Sequence, residues 1–128
     1  VATAVSLKNI EIVQRENLAA NAAKMETYIK GRLNEFADHP YVGEIRGKGL
    51  LLGIELVSDK EKKTPLEMAK ANAIIQNCLK QGVSIMRNGN TVPGLGNVLI
   101  MAPPLILQEN EADQIVDAIG NALKQSLN

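Results

Sequence analysis

Residues 45–57 read IRGKGLLLGIELV, and here the hydrophobic period of the chain changes from helical to extended. Gly47 and Gly49 bracket Lys48 and lead into the apolar run Leu50-Leu51-Leu52-Gly53-Ile54-Glu55-Leu56-Val57, which the turn residues Ser58-Asp59-Lys60 close. Such a run, bounded by turn signals, predicts a strand with a largely covered face. Gly47, Gly49 and Gly53 do not fit G-x-G-x-x-G, and a strand rather than a helix N-terminus follows them. They read as a tight bend and a close backbone approach, not as a phosphate loop.

Upstream, the pattern is helical. Residues 2–15 carry Val5, Leu7, Ile10, Ile12 and Val13, a helix apolar over more than one face, as suits an element packed between two bodies. Nothing at Val1 provides an N-cap, which suggests a helix continuing from elsewhere. Asn17 is placed to cap a second helix, along which Leu18, Ala22, Met25, Ile29, Leu33 and Phe36 recur every three or four residues. Pro40 ends it, because the residue before a proline is pushed out of the α region.

Downstream, Thr64-Pro65 predicts a helix start, with Thr64 as N-cap and Pro65 at the first position. Met68, Ala71, Ile74, Ile75, Cys78 and Leu79 are its expected buried face, and Gly82 its stop. Val83–Met86 and Val98–Met101 read as short strands around the Gly- and Pro-bearing loop 88–97, and Pro103-Pro104 stops the second. Glu109 to about Leu127 is the last helix, with acidic residues near its positive end. The sum is one α/β (α+β) domain: a small, mostly antiparallel sheet of about three to four strands covered by helices on one side.

Composition narrows the function. Lys+Arg and Asp+Glu are balanced at 14 each, so no long-range field recruits nucleic acid or an acidic membrane. Tyr28, Phe36 and Tyr41 are the whole aromatic complement, too few for base stacking. No apolar run approaches ~18 residues, so no membrane span is expected. Cys78 stands alone, which points to a reducing cytoplasm and a buried packing thiol. A single histidine, His39, excludes a His/Cys metal cluster and a His-dependent triad; it is expected as a solvated or helix-capping imidazole. Arg87 ends a strand and opens the loop, where a guanidinium fork can meet a carboxylate; a plain surface arginine is the other reading.

Four segments then occur in order: VSLKNIEIVQRE within Ala2–Glu16, IRGKGLLLGIELV at Ile45–Val57, Gly82–Arg87 followed by GNVLIMAPPLIL, and EADQIVDAI. Together they resemble the C-terminal small domain of class III pyridoxal-phosphate-dependent aminotransferases, of the ω-amino-acid:pyruvate type, over essentially the whole chain. The resemblance implies a parent that moves an amino group from an ω-amino acid or amine to a 2-oxo acid such as pyruvate. It implies a missing N-terminal large domain, which holds pyridoxal 5'-phosphate, and a second subunit in a homodimer. Residues 1–16 would continue from that large domain and 17–128 would form the small-domain body. No catalytic, cofactor-binding or metal residue is expected in the fragment, which alone would be inactive. Arg87 matches the arginine that follows the G-V-x-x-x strand, binds the substrate carboxylate and swings aside for substrates lacking one. The loop Asn90–Asn97 is longer than in many members and looks like that of taurine- or β-alanine-type enzymes. Ile100 stands where ornithine-type members tend to carry an arginine, which disfavours that branch. The alternative is a free-standing, non-catalytic α/β binding or interaction module.

Overall fold

The strand expected at 50–57 is one of the two interior strands of the sheet. The computed structural model describes residues 1–89 and 92–126. In chain order the elements are α1 (Ala2–Arg15), α2 (Leu18–Leu33), a 3-10 turn (Asn34–Phe36), β1 (Val42–Lys48), β2 (Leu51–Asp59), β3 (Thr64–Pro65), α3 (Met68–Lys80), β4 (Met86–Arg87), β5 (Val98–Met101) and α4 (Glu109–Gln125). The sheet runs β1-β2-β5-β4, every pairing antiparallel, with β3 attached to the far end of β2.

The pleat of β2 decides which side is covered. Leu52, Ile54 and Leu56 point inward and are buried, while Leu51, between the turn and Leu52, points outward and is exposed. Leu99 and Met101 of β5 share the inner face. Against it lie Met25, Ile29 and Leu33 of α2, Ala71, Ile74 and Cys78 of α3, and Ala112, Val116, Ile119 and Leu123 of α4, all in one cluster. Truncating Ile54 or Leu99 to alanine there costs about 2–5 kcal/mol. Cys78 packs as expected, and burial pushes its thiol up to about 11.

The glycine bend closes the β1–β2 hairpin. Lys48 pairs with Leu51, which leaves Gly49 and Leu50 as the connection, and Gly49 takes φ +56°. Gly47 has φ +149°, and a Cβ on it would lie 2.3 Å from the Leu51 carbonyl oxygen, so only glycine fits.

Several expectations are corrected. Thr64-Pro65 does not open α3: it pairs with β2, Val57 opposite Pro65, and the helix starts at Met68 with an extended Glu67 before it. Proline is tolerated because this two-residue strand lies at an edge, and the ladder bond is made by the Leu66 N–H to Leu56 O at 3.0 Å. Met68 (40% exposed) and Leu79 (52%) leave the buried face of α3, being at its two ends. Of the strand expected at Val83–Met86 only Met86 pairs, and the observed strand is Met86–Arg87. Asn17 precedes α2 but caps it with no side-chain bond; it takes the left-handed conformation (φ 51°) that reverses the chain between α1 and α2. α4 ends at Gln125, and the expected end at Leu127 lies outside the described residues.

Candidate functional site

Arg87 is the last residue of β4 and sits opposite Leu99, which in turn faces Ile54. This register sends its side chain to the helix-covered side of the sheet. There Nε donates to Asn72 Oδ1 of α3 at 2.9 Å, and Nη1 donates to the main-chain oxygens of Asn88 (3.0 Å) and Gly96 (3.4 Å). Gly96 makes the room: a Cβ on it would lie 2.7 Å from Nη1.

The loop that supplies two of these oxygens is tied at its base. Asn88 exchanges main-chain and side-chain bonds with Val98, as its N–H donates to Val98 O and its Oδ1 accepts the Val98 N–H, each at 2.9 Å. Its Nδ2 donates to Leu95 O at 2.6 Å. The buried Asn97 pairs with Leu56 twice, Nδ2 to Leu56 O at 2.6 Å and O from the Leu56 N–H at 2.8 Å. Residues 90 and 91 lie outside the described residues.

The charge around Arg87 separates it from the other arginines. Arg15 pairs with Glu16, Arg32 with Glu35, Asp113 and Asp117, and Arg46 with Glu44 and Glu55. Among the described residues no carboxylate lies within ion-pair distance of Arg87. Its described partners are neutral oxygens, so no described carboxylate compensates its charge. Such a fork binds an incoming anion without first breaking an ion pair. A cavity of about 330 Å³ on the other side of the loop is lined by Arg46, Glu55, Asn88 and Val98, but there Glu55 takes the Arg46 guanidinium at 2.6 Å.

His39 is neither solvated nor a helix cap. Nδ1 accepts the Tyr41 N–H at 3.1 Å, the two rings meet edge-on with centroids 5.7 Å apart, and Nε2 is enclosed. Burial pushes its pKa down; the Leu123 carbonyl opposes this, and the Lys60 charge adds to it. Burial therefore disfavours the charged imidazole, where the sequence suggested a solvated or helix-capping one. Among the described residues no group of three or more His, Cys, Asp or Glu is placed to hold a metal, and no helix is long and apolar enough to cross a membrane.

The lysines do not fit an imine-forming cofactor such as pyridoxal phosphate. That chemistry needs an enclosed amine that can lose its proton. Every lysine except Lys30 is exposed, and Lys30 Nζ is tied to Glu26 at 2.9 Å and to Gly47 O at 2.7 Å. Asn72 and Gly96 were not legible beforehand. Asn72 is an exposed polar residue between two alanines, and nothing local signals a contact 15 positions along the chain.

A family model described as aminotransferase class-III matches residues 1–123. The chain is 42% identical over 92% of its length to an uncharacterized aminotransferase, YhxA, of Bacillus subtilis, and spans 26% of that protein. It is 39% identical over 95% of its length to the taurine–pyruvate aminotransferase of Rhodobacter capsulatus, spanning 27% of it. Among solved structures, a Bacillus anthracis aminotransferase superposes with a TM-score of 0.91 at 41% identity, over 95% of this chain and 27% of that one. The ω-transaminase of Pseudomonas jessenii, solved in complex with PMP, gives 0.85 at 34% identity, over 98% of this chain and 26% of that one. The chain thus spans about a quarter of the length of the relatives it matches.

Proposed function

The chain belongs to the class-III aminotransferase family, and from that premise we propose that it is the C-terminal small domain of an enzyme of the ω-amino-acid:pyruvate type. The parent transfers an amino group from an ω-amino acid or amine to a 2-oxo acid such as pyruvate. Residues 1–16 continue from a large domain and residues 17–128 form the small-domain body. Pyridoxal 5'-phosphate and the imine-forming lysine belong to the large domain, in keeping with the poor fit of the lysines present. The parent works in the cytoplasm as a homodimer. What supports the pyruvate branch is the similarity to taurine–pyruvate enzymes, together with Ile100 in place of an arginine.

In this reading Arg87 binds the carboxylate of the substrate. The observation that carries it is that, among the described residues, the guanidinium is held by neutral oxygens, while Arg15, Arg32 and Arg46 are each engaged by carboxylates. The experiment is Arg87→Ala in the full-length protein, read in single-turnover half-reactions. Carboxylate-bearing substrates lose about 2–4 kcal/mol in kcat/KM, roughly 30- to 1000-fold, and amines without a carboxylate lose far less. Arg87→Lys recovers part of the loss, since an ammonium lacks the bidentate fork. Equal losses for both substrate classes would assign Arg87 to folding or domain closure instead. Both classes staying within about 0.5 kcal/mol would make it a surface arginine.

A further inference from the structure

Resting on that reading of Arg87, we infer that Asn72 and Gly96 are positioning residues that set how much of the arginine is free to clamp a substrate. The guanidinium lies in a cradle whose three oxygens come from three places: the Asn72 side chain on α3, and the Asn88 and Gly96 carbonyls at the two ends of the loop. Of these, only Asn72 can be altered without changing the main chain. Its Oδ1 takes Nε, the donor nearest the aliphatic stem, and so fixes the direction in which the fork points.

The cradle is neutral, and that makes it reversible. The cradle bonds run from a cation to neutral oxygens, whereas a carboxylate brings a full opposite charge and accepts two parallel N–H bonds from the fork, so an arriving carboxylate competes well against amide oxygens. A substrate without a carboxylate leaves the arginine where it lies. The cradled and clamping positions are then two populations of one side chain, and the apparent affinity for a carboxylate is scaled by the fraction outside the cradle.

Gly96 controls the same balance sterically. A Cβ there would meet Arg87 Nη1 at 2.7 Å and Met68 Sδ at 3.2 Å, both far ends of flexible side chains, with no backbone atom in the way. Gly96 does not hold a left-handed φ, so alanine is tolerated by the main chain. Gly96→Ala therefore displaces the guanidinium rather than the loop.

The test moves the population both ways in the full-length enzyme. Asn72→Asp places a carboxylate in the cradle and holds Arg87 there, so the apparent Kd of carboxylate-bearing substrates in the single-turnover half-reaction rises about three- to tenfold. Gly96→Ala expels the guanidinium and lowers that Kd about two- to threefold. For amines without a carboxylate both variants shift Kd far less, and the maximal rate at saturation changes less than Kd. In an Arg87→Ala background neither substitution has a further effect. The inference falls if Asn72→Asp and Gly96→Ala shift Kd in the same direction, if amines respond equally, or if the effects persist without Arg87. Should Arg87→Ala separate the two substrate classes while Asn72→Asp does not, only the cradle is refuted. Should Arg87→Ala fail to separate them, the reading of Arg87 falls as well.

Discussion

The Glu26 carboxylate accepts the Gly49 N–H at 2.7 Å while Lys30 Nζ lies 2.9 Å from its other oxygen and Lys48 Nζ 3.3 Å away. One side chain of α2 thereby holds the tip of the β1–β2 hairpin. The Gly49 bond first, then the lysines, lower its pKa to about 2, against a smaller opposing effect of burial. A carboxylate with a depressed folded-state pKa contributes stability that is complete above its unfolded value, ~4.3, and is lost as pH falls toward the folded one. Glu26→Gln is therefore expected to destabilise the protein at neutral pH, and its deficit against wild type to shrink between about pH 4.5 and about pH 2. Urea unfolding across that range checks it, and a deficit independent of pH would mean that the ionised form is not what the hairpin tip uses. At this scale the sequence was legible where chemistry is local. Gly47 and Gly49 announced the bend and Arg87 its strand-end position, but His39 did not announce its enclosure, because Leu123, far along the chain, helps to build it.

Gly120 of α4 faces Phe36 of the 3-10 turn that follows α2, and a Cβ on Gly120 would lie 2.3 Å from Phe36 Cζ. Inside a helix, glycine to alanine ordinarily gains about 0.8–1 kcal/mol. Here the added methyl must push a ring that packs against the core, so Gly120→Ala is expected to cost about 1–3 kcal/mol net. In chemical denaturation, Gly120→Ala combined with Phe36→Leu should cost clearly less than the two single losses added together. A stabilised Gly120→Ala would show that the ring swings aside freely. The stripe of α2 was readable from spacing alone, since it buries one face against the sheet. Thr64-Pro65 misled because Thr-Pro serves equally as a helix start and as an edge strand whose proline needs no ladder donor; only the pairing with Val57 decides. β4 pairs only Met86 and Arg87, and the loop takes over at Asn88, whose side chain accepts the Val98 N–H.

A compact monomer of 13.8 kDa exposes about 6,600 Å² by the usual size scaling, whereas this chain exposes 7803 Å². The excess of roughly 1,200 Å² exceeds the ≈ 800 Å² that one partner contributes to a standard interface. Helix α1 accounts for it in kind: none of its residues is buried, and Val5 (63% exposed), Leu7 (64%) and Ile10 (53%) stand out from the body. Its only apolar residues half-covered are Ile12 and Val13, near the turn to α2. Helices of this length are marginal in water without tertiary packing. On its own, the 128-residue chain is therefore expected to associate with itself through α1, giving a sedimentation coefficient that rises with concentration. Val5→Glu with Ile10→Glu should abolish that rise while leaving the thermal unfolding of the body, which α1 hardly touches, nearly unchanged. In the proposed full-length enzyme the same pair is expected instead to lower stability, the outcome if its large domain covers α1. A wild-type fragment that stays monomeric at every concentration, with the amides of α1 protected from exchange, would mean that α1 refolds onto its own domain and that the apolar face belongs to this domain's core.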